Sequence, residues 1–141
     1  MSAPAPLLEA YLRHYPVEFA RTVEKASPVE AAAWLADSNP EQAAGCCERL
    51  EPGFCGEALG HLEGNVLRSL IHEMDPARAA LGISRQTPEI RKRILDQLDE
   101  TDQKRIEECL DYPADSAGAL MSTRVLSFRE ETTVGAALAR L

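Results

Sequence analysis

The chain has 141 residues, 27% of them charged and 5% aromatic, and a formal net charge of −8. That length holds one ordinary domain with room for a piece of a second. The negative balance excludes nucleic acid as a partner, because phosphate contacts need a basic footprint. No apolar run of about 18 residues reads as a bilayer span, and residues 1–6 lack the basic and apolar regions of a signal peptide, which points to the cytosol.

Pro16, Pro28, Pro40, Pro52, Pro76 and Pro88 stand at multiples of 12 residues from one another, and Gly64 and Glu100 hold the marks that proline leaves empty. Proline has no backbone N–H and a φ fixed near the helical value, so it suits the first turn of a helix and damages an interior. Each proline therefore closes one helix and opens the next. One residue earlier, Ser27, Asn39, Asp75 and Thr87 offer polar side chains to cap the new start. Counted from each mark, apolar residues return at +3, +6, +7 and +10: Cys55, Ala58, Leu59 and Leu62 after Pro52, then Leu67, Leu70, Ile71 and Met74 after Gly64. After Pro16 the stripe is Phe19, Ala20 and Val23; after Pro88 it is Ile94, Leu95 and Leu98, with charged Arg91 at +3.

This spacing lays one apolar stripe on each helix. Helices so short are marginal alone, because nucleation is costly, so each must bury its stripe on neighbours. The expected fold is all-α: a superhelical, solenoid-like array over residues 6–110, with about 24 residues per helix pair. Trp34 is its expected large anchor.

Cys46, Cys47, Cys55 and Cys109 have no zinc-ligand spacing, and they read as buried reduced thiols acting as small hydrophobes. His61, His72, Glu73 and Asp75 lie close in sequence, but His72 and Glu73 point apart on one helix, so they read as solvated face residues. The run from Glu89 through Arg91, Arg93, Asp96, Asp99, Asp102 and Arg105 to Glu108 alternates in sign, as on a salt-bridged exposed helix surface. No nucleophile–base pair, phosphate loop or catalytic carboxylate pair stands out, so no enzyme is expected.

Beyond residue 110 the period breaks. Residues 124–128 carry the β-branched and aromatic content of a short strand. Thr132 or Thr133 then caps a helix expected over residues 134–141. One strand and one helix complete no sheet, so this tail reads as the opening of an α/β unit. The rest of that unit is expected in a longer protein or from another copy.

The stretch Tyr112, Pro113, Asp115, Ser116, Ala117, Gly118, Leu120 and Met121, followed by Thr132, Thr133, Val134 and Gly135, resembles the junction of MgtE-type magnesium transporters. There a helical N domain meets the first CBS (cystathionine-β-synthase) domain. Residues 16–110 are similar to that N domain in repeat length and in a Pro-x-x-Ala-Ala pattern, as at Pro40, Ala43 and Ala44 and at Pro76, Ala79 and Ala80. The resemblance implies a helical N domain over residues 1–110, and a junction with the first strand and helix of a CBS domain over residues 111–141. It implies a cytosolic regulatory domain that docks on the CBS domains of its parent and gates transport according to intracellular Mg²⁺. The parent is expected to be a homodimer with a transmembrane domain.

Mg²⁺ is the implied regulatory ion, a hard cation held by carboxylates and water. The family's acid at +5 survives only as Glu57, the other +5 residues being Ala33, Gly45, Ser69, Leu81 and Arg93. Ala77 and Arg78 stand where acids are expected after Pro76. The carried-over metal ligands are therefore Glu57, Asp75 as the nearest remaining acid, and Asp115 of the junction, which also reads as a turn cap. These losses leave a second reading open, a soluble superhelical interaction scaffold that has lost ion sensing. Nucleotide sensing through the CBS region is a third.

Overall fold

The structure, a computed structural model, describes residues 10, 11, 14–113, 116–121 and 127–139. The described residues are helical or irregular, with no strand among them. The helices are α1 (Pro16–Val23), α2 (Pro28–Asp37), α3 (Pro40–Cys47), α4 (Pro52–Gly60), α5 (Gly64–Glu73), α6 (Pro76–Ser84), α7 (Pro88–Leu95), α8 (Glu100–Leu110), α9 (Ala117–Leu120) and α10 (Val134–Leu138). Proline opens α1, α2, α3, α4, α6 and α7, as the ruler requires. Gly64 breaks the proline series for a backbone reason: its φ is +59°, which a pyrrolidine ring cannot adopt.

The caps fall where polar residues precede proline. Ser27 and Glu30 close a reciprocal capping box, Asn39 Oδ1 accepts from Glu41 N at 3.0 Å, and Thr87 Oγ1 accepts from Ile90 N. Two further caps were not read from the sequence. Glu51 Oε2 accepts from Phe54 N at 2.8 Å, and Asp99 Oδ1 accepts from Thr101 N and Asp102 N.

Odd and even helices form two rows. α2 packs on α4, α4 on α6 and α6 on α8, and in the same way α1 packs on α3 and α3 on α5. α7 leaves the odd row and leans on α4 and α6. The core is the apolar stripe, with Leu35, Leu59, Leu67, Leu70, Ile83 and Ile94 among its most buried side chains. Burying each such side chain contributes about 1.5–3 kcal/mol. The +10 residues Leu50, Leu62, Met74 and Leu98 close the turns between helices and are buried too. At +4, Ala20, Ala32, Ala44, Gly56 and Ala80 form a buried lane of small residues, which accounts for the paired alanines of the repeat.

That lane lets backbones approach. At the α4–α6 crossing, a methyl group on Gly56 would collide with the Gly82 carbonyl and sit 2.6 Å from Gln86 Nε2. Trp34, the expected large anchor, is half-buried and packs against the core, its ring 4.9 Å from buried Phe19.

Helix ends are tied across the array by a clasp that repeats every 24 residues. Glu51 N, at the start of α4, donates to Glu24 Oε1 at 2.7 Å, just beyond the end of α1. Asp75 N, at the start of α6, donates to Glu48 Oε1 at 2.8 Å, just beyond the end of α3. In both, a carboxylate satisfies an amide next to a helix start, where backbone donors lack intrahelical partners.

In the tail, Thr133 Oγ1 accepts from Ala136 N, and the expected helix over 134–141 is described as Val134–Leu138. Ser127 and Phe128 lie in no strand, while residues 124–126 of the expected strand lie outside the described residues.

Candidate functional site

Glu57 sits exposed on α4, at the +5 position of its segment. Of its +5 counterparts Ala33, Ser69 and Arg93 are exposed as well while Gly45 and Leu81 are half-buried, so this register lies mostly toward solvent. One carboxylate remains on it. Arg93 does structural work there, donating through Nη2 to the Gly60 carbonyl at the end of α4. Arg91, the charged residue of the α7 stripe, likewise donates through Nη2 to Ser84 O at the end of α6, 2.9 Å away. Both arginines satisfy carbonyls that a helix end leaves open.

Asp75 is the N-cap of α6. Its Oδ1 accepts from Ala77 N at 2.9 Å and Arg78 N at 3.4 Å, so this oxygen is already used by backbone amides. Asp115 lies outside the described residues. Among the described residues, Glu57 and Asp75 join no group of three metal-ligating side chains. Among the described residues, an all-oxygen set fit for Mg²⁺ does not assemble from this chain alone.

A different cluster does assemble. His72, near the end of α5, stands 24 residues after Glu48, and Asp99 stands 24 residues after Asp75. They occupy the third mark of the clasp, where imidazole replaces carboxylate. His72 Nδ1 lies 2.9 Å from Asp102 Oδ2, one turn into α8, and Arg105 Nη1 lies 3.5 Å from Asp102 Oδ1. One donor atom each from His72, Asp99 and Asp102 falls within 4.8 Å of the others. Asp102 is the buried charged residue among the described residues, at 5% exposure, while the His72 side chain is 63% exposed.

The sequence reading missed this set. Asp102 sits at +2 of its segment, outside the apolar stripe, and read as part of an exposed charged surface; it is buried, and His72 of α5, 30 residues earlier, reaches it. His72 is exposed, as read, and its Nδ1 also meets Asp102, a contact that the sequence did not announce. The hydrogen bond to Asp102, then the charge of that carboxylate, hold the His72 pKa above its usual value of 6.5.

The cysteines meet expectation: all four are free and buried. Burial pushes the Cys46 thiol up to about 12, and a hydrogen bond to Cys55 together with burial raises Cys47, so neither supplies a thiolate at neutral pH. Between α2, α3 and α5 lies an apolar groove of about 180 Å³, lined by Leu35, Pro40, Ala43, Val66, Ser69 and Leu70. Among the described residues no helix is long and apolar enough to cross a membrane.

No curated protein matches the chain. Residues 14–115, the span that carries α1 through α8, match the MgtE intracellular N domain, and the chain belongs to that family.

Proposed function

We propose that this domain regulates a magnesium transporter from the inner side of the membrane, by docking on the CBS domains of the same protein and so gating Mg²⁺ flow. The observation that carries the reading is the family match over residues 14–115, since the family's members are the cytosolic domain of magnesium transporters. Residues 111–141 then form the junction and the opening of the first CBS domain, and the parent is a homodimer. The exposed +5 side and the apolar groove beside Val66 and Ser69 support docking, because a surface that binds a folded neighbour needs apolar area within a polar rim. Docking acts as a population shift: the contact stabilises one arrangement of the assembly over another.

The test is transport by the whole parent protein in proteoliposomes, with and without residues 14–110. The reading expects the intact protein to slow Mg²⁺ flux as internal Mg²⁺ reaches the millimolar range, and the shortened one to keep conducting. Equal regulation in both would overturn it.

The interaction scaffold remains a second reading, favoured by Arg93 in an acid's register and by the use of Asp75 as a cap. Under it, the domain docks without sensing. Millimolar Mg²⁺ would then leave the protease resistance of the domain joined to its CBS pair unchanged, whereas ion sensing expects slower cleavage.

A further inference from the structure

We propose that His72, Asp99 and Asp102 form a binding site for a divalent transition-metal ion of the zinc or cobalt class. The site is independent of the docking reading above.

Three observations converge on it. The first is donor type. One imidazole and two carboxylates from two helices make a mixed nitrogen and oxygen set, which suits zinc, cobalt or nickel, whereas magnesium favours oxygen and keeps its water. The second is geometry. Zinc bonds to nitrogen and oxygen run near 2.1 Å, so two ligands of one ion stand at most about 4.2 Å apart. The three donors already lie within 4.8 Å, and His72 Nδ1 and Asp102 Oδ2 at 2.9 Å need only open slightly to admit an ion. Side-chain rotation covers such a shift without moving either helix.

The third is a break in the repeat. At the first two marks the clasp is a glutamate oxygen on a helix-start amide, a joint that needs nothing further. At the third mark the glutamate is replaced by His72, and a carboxylate is drawn into the interior opposite it. Burying a carboxylate costs several kcal/mol before its partners offset the penalty, and an apolar residue at Asp102 would give the array a simpler joint. A position that departs from its own repeat at such a cost marks a site rather than a scaffold.

The surroundings fit a cation. Asp99 uses Oδ1 for the α8 cap, which orients its carboxylate beside the site. Arg105 is the opposing charge. Its guanidinium is 3.5 Å from Asp102 Oδ1 on a 55% exposed side chain, free to turn toward solvent when an ion arrives. Arg105 therefore lowers affinity without blocking the site.

The experiment is a titration of the 141-residue chain with Co²⁺ alone, followed through its visible d–d absorption, with Zn²⁺ and Mg²⁺ as competitors. The expected result is one equivalent bound, displaced by stoichiometric Zn²⁺ and retained in millimolar Mg²⁺. His72→Ala and Asp102→Asn should each weaken Co²⁺ binding about tenfold or more, and Arg105→Ala should tighten it. Circular dichroism on each variant separates loss of the site from loss of the fold, and Arg105→Ala, which alters an exposed side chain, stands even if Asp102→Asn unfolds. Equal Co²⁺ binding by wild type and His72→Ala, full displacement by millimolar Mg²⁺, or no stoichiometric binding would each overturn the proposal.

Discussion

The joint between α3 and α6 and the joint between α5 and α8 occupy equivalent places in the repeat, yet they are built from different chemistry. The first ties a carboxylate to a backbone amide, Glu48 to Asp75 N. The second ties side chain to side chain, His72 to Asp102, and leaves a charge in the interior. A joint of the first kind tolerates any residue after the helix start, so the rest of the repeat can drift. A joint of the second kind fixes two residue identities on helices 30 positions apart. The repeat thus provides the scaffold, and its departure at His72 provides the chemistry.

The scaffold side of this contrast breaks most readily in the core. Leu59, with no exposed surface, packs at the centre of the even row, and Leu59→Ala should lose about 2–5 kcal/mol in denaturant unfolding. Gly56→Ala should follow at about 1–3 kcal/mol, because the added methyl meets the Gly82 backbone and α4 and α6 must separate. Gly45→Ala is the matched control: the nearest atom to its new methyl is Arg49 Nη1 at 3.7 Å, so thermal melting should change little or rise, as alanine favours a helix. If Gly56→Ala melted like Gly45→Ala, the close crossing would be wrong.

The clasp itself is a smaller effect. Glu48→Ala removes the acceptor of Asp75 N and should cost on the order of 1 kcal/mol, with Glu24→Ala close to it because the geometry is shared. A large difference between these two variants would deny that they are the same joint. Smallest is the capping box. Bonds from the Ser27 backbone and hydroxyl hold the Glu30 pKa below 4.5. A depressed carboxyl contributes stability that is present above about pH 4.5 and fades as pH falls through the lower folded value. Comparing wild type with Glu30→Gln, the melting-temperature gap should persist at neutral pH and close as pH falls through the lowered folded value. Because Glu30 is exposed, solvent screening keeps the effect on stability small.

How far the sequence revealed all this follows the same division. The helix starts were legible because proline marks them and a capping side chain stands just before, as at Ser27, Asn39, Asp75 and Thr87. The core stripe was legible because its period is local. Glu51 and Asp99 escaped notice as caps: glutamate is an uncommon choice at that position, and Asp99 precedes Glu100 rather than proline. The +4 lane was half visible in the paired alanines, yet the contact of Gly56 with Gly82 depends on a helix 26 positions away. The candidate site was hidden for the same reason. Nothing near Asp102 in the chain announces its burial, and only the array brings His72 of α5 to it. Family likeness pointed instead to Glu57, which is exposed on α4, and to Asp75, which caps α6.

The contrast between the two joints is tested most directly by ¹⁵N-resolved NMR of the chain with one equivalent of Co²⁺, whose unpaired electrons perturb amides within reach of the bound ion. The account predicts displaced or broadened signals clustered at the end of α5 and the start of α8, around His72, Asp99 and Asp102, with Glu51 at its carboxylate clasp and the amides of the α4–α6 crossing little changed. Perturbation spread evenly over the acidic surface, or centred on Glu57, would contradict it.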